Sequence, residues 1–216
     1  MGVLFMKYAQ IPLGPLQTNC YLLAEEGGSC LIIDPGGEDG KLNQYINEYK
    51  LKPIAVILTH AHFDHIGAVD AVRNKYDIPV YIHEKEASWL LDPALNGSQR
   101  FQYGEPIRLK PADGIIAGES AMQLGAFSFQ VLETPGHSPG SISIFFKDAG
   151  IVVAGDALFS GSIGRTDLPG GNHEQLIKSI HDKLMVLPEE TIVLPGHGPA
   201  TTVGNEMDSN PFLNGF

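Results

Sequence analysis

The alternation of apolar runs and polar turns along the chain predicts an α/β protein. CYLLA and CLIID are separated by the glycine-containing turn EEGGS, which favours two strands of a hairpin. Residues 39–50 place Leu42, Ile46 and Tyr49 at helical spacing, and residues 54–58 (IAVIL) are apolar throughout, as is typical of a buried strand. Further helices are predicted at IGAVDAVRNKY, EKEASWLL and NHEQLIKSIHDKLMVL, and further strands at PVYIH, FSFQVLE, SISIFF, IVVA and TIVL.

This order of elements implies a layered α/β domain in which helices cover the sheets. No repeat, low-complexity tract or block of charge interrupts the pattern. With 216 residues and 43% apolar content, the chain is long enough to bury one sizeable core. The prediction is a single domain over residues 1–216.

Charge and cysteine usage narrow the class of protein. Its 14 basic and 25 acidic residues give a net charge of -11, which repels nucleic acid and anionic membrane surfaces, so neither is an expected partner. The opening MGVLFMKYAQ lacks a signal-peptide apolar run, and no window approaches the ~20 apolar residues of a membrane span, so a cytoplasmic protein is expected. Cys20 and Cys30 lack CxxC spacing and are expected as buried free thiols, with a disulfide between strands as the alternative.

Candidate chemistry is concentrated where the predicted strands end. Three histidines and an aspartate occupy residues 60–65 directly after IAVIL, in a chain with eight histidines in all. FSFQVLE is followed by TPGH, IVVA by GDALF, and TIVL by PGHGP, each with a His or Asp on a glycine- or proline-bearing turn. Because ligand sites of α/β sheets form at the carboxyl ends of strands, we expect these groups to meet at one rim. The predicted set is His60, His62, Asp64, His65, His137, Asp156 and His197.

A cluster of this many imidazoles and carboxylates is unfavourable unless its polar groups and charges have partners. Buried imidazoles require hydrogen-bond partners and close carboxylates repel one another, and divalent metal ions resolve both problems. Five imidazoles and two carboxylates exceed the ligands of one tetrahedral zinc that keeps an open position, so two ions are predicted. Imidazole and carboxylate ligands without thiolate suit zinc, iron or manganese and argue against calcium or magnesium. Zinc is the expected metal, with iron or manganese as alternatives. His173 and His181 are expected on an exposed helix, and His83 is expected as a structural residue, with a place at the rim as its alternative.

The motifs THAHFDHIGA, TPGHSPGS, GDALFSGSIGRTDLPGG and LPGHGP resemble those of the metallo-β-lactamase fold superfamily. Together with LGPLQTNCYL, DPGG and NPFLNGF, they are similar to the glyoxalase II-like group of short bacterial hydrolases over nearly the whole chain. The resemblance implies an αββα sandwich with the metals at one edge of the sheets. It also implies the ligand sets: His60, His62 and His137 for the first ion; Asp64, His65 and His197 for the second; Asp156 as the bridge. Asp64 and Asp156 would be the two catalytic carboxylates.

Departures from the resemblance affect the expected substrate. Asp156 stands where glyoxalase II-like members carry a bridging carboxylate, and the leader and zinc-binding cysteine of many β-lactamases are absent, which disfavours antibiotic hydrolysis. Full-length glyoxalase II enzymes continue into a helical region that helps to bind glutathione, whereas only a short segment follows His197 here. Another small thiol is therefore an alternative carrier. Arg165 is expected either to contact a substrate carboxylate or to form a structural salt bridge.

The leaving group then selects the reaction. A bound metal lowers the pKa of its water from 15.7 to about 7, so a metal-bridging hydroxide is the expected nucleophile. A thiol has a pKa of about 8.5 and leaves with little proton assistance, whereas an amide nitrogen must be protonated. No acid beside the motifs is free for that task, which favours thioesters, then activated esters or lactones. The predicted function is hydrolysis of 2-hydroxyacyl thioesters, such as S-lactoyl thiol conjugates, and the predicted partner is this small molecule.

Two alternatives come from other functional classes. An iron-dependent dioxygenase acting on thiol persulfides would share much of the motif while holding one iron with two His and one Asp. A non-catalytic metal-binding or protein-binding module is the other, because a fold alone does not establish activity. The complete second set, Asp64, His65 and His197, favours the hydrolase over the dioxygenase.

Overall fold

The computed structural model describes residues 6–101 and 104–213, and the chain divides into two compact units, residues 1–116 and 117–216. The opening MGVLFMKYAQ and the closing NPFLNGF each lie partly outside the described residues. The single domain expected over residues 1–216 stays a prediction. None of the described helices combines the length and the apolar character that crossing a bilayer requires.

The first unit is built on one mixed sheet whose strands lie in chain order. Its strands are β1 (Lys7–Leu13), β2 (Thr18–Ala24), β3 (Ser29–Ile33), β4 (Lys52–Ile57), β5 (Val80–His83) and β6 (Gly114–Ile116). The first three are antiparallel, and the predicted hairpin of CYLLA and CLIID is confirmed, with Ala24 opposite Cys30. From β3 to β6 the strands are parallel. Each parallel connection needs a crossover, and helices supply most of them.

Helices of the first unit follow the apolar spacing of the sequence. Leu42 and Ile46 of α1 (Asp39–Glu48) are buried in one core with Val56 of β4 and Val72, which belongs to α3. Leu58 and Ala61, in the turn that follows β4, belong to the same core. The helices are α1, the single turn α2 (Phe63–Ile66), α3 (Val69–Tyr76), a 3₁₀ helix (Glu84–Leu91) and α4 (Ser98–Phe101).

The second unit carries its own six-stranded sheet and a two-stranded ribbon. In chain order the strands are β7 (Ser120–Leu124), β8 (Phe127–Glu133), β9 (Ile142–Phe146), β10 (Ile151–Gly155), the ribbon β11 (Leu158–Phe159) and β12 (Ser162–Ile163), β13 (Ile192–Pro195) and β14 (Thr201–Thr202). Across the large sheet they lie in the order β14-β13-β10-β9-β8-β7. Only β10 and β13 form a parallel pair among these described strands.

One amphipathic helix joins β12 to β13, as the sequence predicts. It begins after Asn172, whose side chain caps the helix by accepting a hydrogen bond from the Gln175 N–H. The helix is α5 (His173–Ser179), continued by one π-helical segment (Ile180–Leu184), and Leu176 and Ile180 pack in the core of this unit. A short 3₁₀ turn (Lys147–Ala149) and α6 (Val203–Ser209) complete the unit.

Both cysteines are buried free thiols, as expected from the sequence. Cys20 lies in β2 and Cys30 in β3. Burial raises the pKa of the Cys20 thiol well above its ordinary value and raises the pKa of Cys30 from 9.0 to about 12. These thiols therefore remain protonated near neutral pH, and they act as apolar side chains.

Candidate metal centre

The histidine-rich turn after β4 is held tightly by glycine contacts. A Cβ atom added to Gly36 would collide with the carbonyl oxygen of Asp64, and one added to Gly67 would collide with the carbonyl oxygen of Gly36. Only glycine allows backbone segments to approach so closely. The DPGG segment after β3 therefore packs directly against α2, which positions Asp64 and His65.

This packing brings the predicted ligands of the first unit together. The ring centroids of His60 and His62 lie 4.8 Å apart and nearly perpendicular, and those of His60 and His65 lie 4.1 Å apart. All three rings are buried. The Asp64 Oδ2 lies 3.6 Å from the Nε2 of His65. Within the first unit, the structure brings these four residues together, and their role as metal ligands stays a prediction.

Asp34 is a member of this cluster that the sequence reasoning missed. Its Oδ1 accepts the Thr59 N–H at 2.8 Å, and its Oδ2 accepts the Thr59 hydroxyl at 2.6 Å and lies 2.9 Å from the Nδ1 of His65. Asp34, His60 and His65 each offer a ligand atom within 4.8 Å of the others. The signal was present, because Asp34 directly follows β3 and begins a Pro-Gly-Gly turn, as the other candidates follow their strands.

Two further buried polar groups fix this turn. The Thr18 hydroxyl donates to Asp64 Oδ2 at 2.7 Å. The Ala61 N–H, between two candidate ligands, donates to Glu86 Oε2 at 2.6 Å. Thr18 and Glu86 are both fully buried, so these bonds are shielded from competing water. They orient the turn and one oxygen of the Asp64 carboxylate.

The second unit supplies the other three predicted residues from three strand ends. His137 follows β8, Asp156 follows β10 and His197 follows β13. The Asp156 Oδ2 lies 3.5 Å from the Nε2 of His137 and 3.7 Å from the Nε2 of His197. The structure therefore places one carboxylate between two imidazoles, each facing it with Nε2.

Main-chain atoms orient His137. Its Nδ1 lies 2.8 Å from the carbonyl oxygen of Arg165, which can only accept a hydrogen bond, so Nδ1 carries the proton and Nε2 the lone pair. A Cβ on Gly164 would collide with the carbonyl oxygen of Asp156 and lie 3.3 Å from the Cβ of His137. Glycine at this position lets the loop SIGRTD pass beside both candidate ligands.

The residues present fit divalent metal ions. The three Nε2–carboxylate separations of 3.5, 3.6 and 3.7 Å are too long for hydrogen bonds. Two atoms that each lie about 2.0 to 2.1 Å from one tetrahedral zinc are about 3.3 to 3.4 Å apart, slightly shorter than this spacing. Imidazole and carboxylate donors without thiolate suit zinc, iron or manganese.

The remaining sequence candidates are accounted for separately. His173 and His181 are exposed on the second unit's long helix, as expected, and play no part in its cluster. His83 is buried at the end of β5, where its Nδ1 accepts the Lys85 N–H at 3.3 Å and caps the following 3₁₀ helix. This contact agrees with the structural role expected for His83.

Arg165 forms the structural salt bridge that was one of its two expected roles. Its Nε and Nη2 donate to the two carboxylate oxygens of Asp167 at 2.7 and 2.8 Å, in an exposed pair. These hydrogen bonds raise the pKa of the guanidinium. Contact of Arg165 with a substrate carboxylate stays a prediction. Such binding would require the guanidinium to leave Asp167 or to contact both carboxylates at once.

Comparison with known proteins agrees with this chemistry. The model of the metallo-beta-lactamase superfamily matches residues 13–197. The chain is 57% identical over 211 residues to the probable metallo-hydrolase YqgX of Bacillus subtilis (strain 168), covering 98% of this chain and 99% of that protein. It is 37% identical over 209 residues to the hydroxyacylglutathione hydrolase GloC of Haemophilus influenzae, covering 97% and 99%.

Solved structures show the same relationship. The crystal structure of the BLEG-1 B3 metallo-beta-lactamase is similar, with 54% identity and a TM-score of 0.94, covering 97% of this chain and 100% of that one. TTHA1623, in a di-iron-bound form, is 41% identical with a TM-score of 0.84, covering 95% and 100%. The α/β fold class predicted from the sequence, the αββα sandwich, is confirmed by these matches. The chain belongs to the metallo-β-lactamase superfamily.

Proposed function

We propose that this metallo-hydrolase of the metallo-β-lactamase fold cleaves 2-hydroxyacyl thioesters, such as S-lactoyl thiol conjugates, at a centre of two divalent ions. The observation that carries the proposal is the spacing of 3.5 to 3.7 Å between Nε2 and carboxylate atoms, which recurs in both units. The proposed ligands are His60, His62 and His137 for one ion, Asp64, His65 and His197 for the other, and Asp156 for both.

The chain's own residues prepare this centre by fixing protons. Asp34 accepts from Nδ1 of His65 and the Arg165 carbonyl accepts from Nδ1 of His137, which leaves the Nε2 lone pairs for ligation. Thr18 occupies one face of the Asp64 carboxylate. Bound ions would polarise the scissile carbonyl and lower the pKa of a coordinated water to about 7. Asp64 and Asp156 act in this proposal as ligands, and no separate general base is required.

A thioester substrate suits this site because the buried carboxylates beside the histidine turn act as hydrogen-bond acceptors and are not available to protonate a leaving group. Asp34 and Glu86 are the buried carboxylates beside the histidine turn, and both already accept hydrogen bonds from Thr59 and Ala61. An amide nitrogen must be protonated as it leaves, whereas a thiolate with a conjugate-acid pKa of about 8.5 departs without an acid. The Haemophilus relative named hydroxyacylglutathione hydrolase supports the same substrate class.

Zinc is the proposed native ion, with iron or manganese as the alternatives. Imidazole and carboxylate ligands accept these metals, and the similar protein TTHA1623 was solved with two irons. Iron loading alone does not imply oxygen chemistry, because two ions with an intact second ligand set favour hydrolysis. A single iron would point instead to the persulfide dioxygenase alternative.

Hydrolysis of β-lactams is a second candidate because the BLEG-1 B3 metallo-beta-lactamase is 54% identical to this chain. The sequence features that disfavour it are the aspartate at position 156 and the lack of a thiolate ligand. A β-lactam is a strained amide, so its cleavage needs less protonation of the leaving nitrogen than that of an ordinary amide. The two substrate classes therefore belong in one assay.

The test is a substrate panel on metal-free protein reloaded with zinc or with iron. The panel contains S-lactoyl thioesters of glutathione and of a smaller thiol, a lactone, a cephalosporin, and glutathione persulfide with oxygen consumption recorded. Two ions per chain and the highest kcat/KM for a lactoyl thioester are expected. A higher kcat/KM for the cephalosporin would replace the proposal with the second candidate. One iron per chain with oxygen consumption would replace it with the dioxygenase.

A further inference from the structure

We propose that Thr59 is a positioning residue: its hydroxyl relays the hydrogen bond of Asp34 to His60, so that one carboxylate orients two histidines. Asp34 accepts a hydrogen bond directly from Nδ1 of His65, and it orients His60 through the Thr59 hydroxyl. The inference rests on the proposed function in one respect, which is the assignment of His60 and His65 to different ions. Asp34 would then tie the two ion sites together from outside both sets of ligands.

The first step concerns the direction of the hydrogen bond between Thr59 and Asp34. The hydroxyl lies 2.6 Å from Asp34 Oδ2, and the Thr59 N–H lies 2.8 Å from Oδ1. A carboxylate can only accept, so the single hydroxyl proton of Thr59 points at Asp34. Both residues are 1% exposed, which protects this bond from exchange with water.

The second step concerns the ring of His60. Its Nδ1 lies 3.0 Å from the Thr59 hydroxyl oxygen, whose proton is already donated to Asp34. The hydroxyl can therefore only accept at this contact, and Nδ1 must carry the proton. In the neutral ring the lone pair then resides on Nε2. The relay selects the tautomer that presents Nε2 as a ligand.

The third step is that two different rings depend on the same oxygen. Asp34 Oδ2 accepts from Thr59 and lies 2.9 Å from the Nδ1 of His65. Partners of this kind fix the tautomer and orientation of metal-binding histidines, and their loss costs about 10- to 100-fold in metal affinity. Removal of the Thr59 hydroxyl interrupts one branch only, because the direct contact of Asp34 with His65 is left in place.

The test compares Thr59→Val, which removes the hydroxyl and keeps the branched shape, with Thr59→Ser, which keeps the hydroxyl. Thr191→Val is a matched control, because Thr191 is also buried and its hydroxyl has no hydrogen-bond partner within the described parts of the chain. Thr59→Ala tests the same loss without a branched side chain, should the valine variant fold poorly. Thermal unfolding of each metal-free protein checks that it is folded.

The first measurement is nitrogen NMR of the histidine rings in metal-free protein at about pH 8.5, above the ordinary histidine pKa of about 6.5. The His60 signal is assigned by its loss in His60→Gln. The parent, Thr59→Ser and Thr191→Val proteins are expected to show the proton on Nδ1, and Thr59→Val to lose that preference. An unchanged His60 tautomer in folded Thr59→Val and Thr59→Ala would overturn the relay.

The second measurement is zinc affinity by chelator competition, with ions per chain counted. Thr59→Val is expected to lower the affinity for one of the two ions by about 10- to 100-fold and to leave the affinity for the other near the parent value. Parent affinity for both ions, or failure of Thr59→Ser to restore the weakened one, would contradict the positioning role. Because the tautomer is measured without metal or substrate, its outcome is separate from that of the thioesterase assay.

Discussion

The two units prepare their histidines by different means, although both place them at the ends of strands. In the first unit, side chains from distant segments hold the cluster: Asp34 faces His65, and Thr18 donates to Asp64. In the second unit, a main-chain group orients the histidine, since the carbonyl oxygen of Arg165 accepts a hydrogen bond from His137. The contact of Gly164 with the Asp156 backbone brings that carbonyl into place.

This difference determines how each cluster responds to substitution. A side-chain hydrogen bond is lost when its partner changes polarity, while the backbone around it stays in place. A main-chain hydrogen bond survives most changes of polarity, and it fails when added volume pushes the backbone apart. Both clusters should therefore be sensitive to added volume at their close glycine contacts, at Gly36 and Gly67 in the first unit and at Gly164 in the second. Only the first should also be sensitive to a change of polarity at the side chains that orient it, such as Asp34 and Thr18.

The largest effects are expected from substitution of the proposed ligands themselves, and these effects should be equally severe in both units. Asp156→Ala and His62→Ala should each reduce bound metal and bring thioester turnover to background, because each removes a ligand donor. His181→Ala should change neither, because His181 is exposed on the helix outside the cluster. Metal analysis and the lactoyl thioester assay measure both properties. Turnover by metal-free Asp156→Ala protein would contradict the mechanism.

Gly164→Ala tests the sensitivity of the second cluster to added volume. The added methyl group would collide with the carbonyl oxygen of Asp156, so the loop must move away, at a cost on the order of 3 kcal/mol in the free energy of unfolding. Metal content should fall with it. Gly40→Ala is the control, because nothing lies within 4 Å of a Cβ at this helical position and alanine should be stabilising by about 0.5 to 1 kcal/mol. Denaturant unfolding compares the two, and equal stabilities would refute the packing argument.

Much of the fold could be predicted because its central strands are continuous apolar runs. CLIID and IAVIL are buried along almost their whole length and were identified as strands. The edge strands β1 and β7 were missed, because most of their residues are exposed or half-buried and leave no apolar run to detect. Their pairing with a neighbouring strand forms them, and that information is not local.

The candidate ligands could be predicted for a related reason: they crowd together or follow strands on glycine turns. The residues that orient them could not, since a hydrogen bond links positions far apart, such as Thr18 with Asp64 or Glu86 with Ala61. Nothing in the spacing of TNCYLL or HEKEAS distinguishes these residues from ordinary polar side chains. Asp34 lies between these two cases: it orients a histidine through a long-range hydrogen bond, yet it follows a strand on a glycine-bearing turn, as the candidate ligands do.

Asp34→Asn tests the sensitivity of the first cluster to polarity without changing its size. Asparagine tolerates the left-handed backbone of residue 34, where φ is 51°, so the fold should be retained. The amide offers one accepting oxygen where the carboxylate offers two, and its N–H₂ would then face another donor. Metal affinity should fall about 10- to 100-fold. Asp182→Asn, at an exposed ion pair with Lys178, is the control and should bind metal like the parent. Unchanged affinity in Asp34→Asn would remove the contrast between the units.

The smallest effect is expected at Thr18, which orients Asp64 without touching an imidazole in the first unit's described contacts. Thr18→Val removes the hydroxyl that donates to Asp64 Oδ2, at nearly constant volume, and should weaken metal binding by about tenfold, at the low end for such partners. Thr18→Ser keeps the hydroxyl and should bind metal like the parent. Chelator competition distinguishes the pair. If serine were as defective as valine, the methyl group rather than the hydroxyl would matter at residue 18, and Thr18 would then position Asp64 by packing and not by its hydrogen bond.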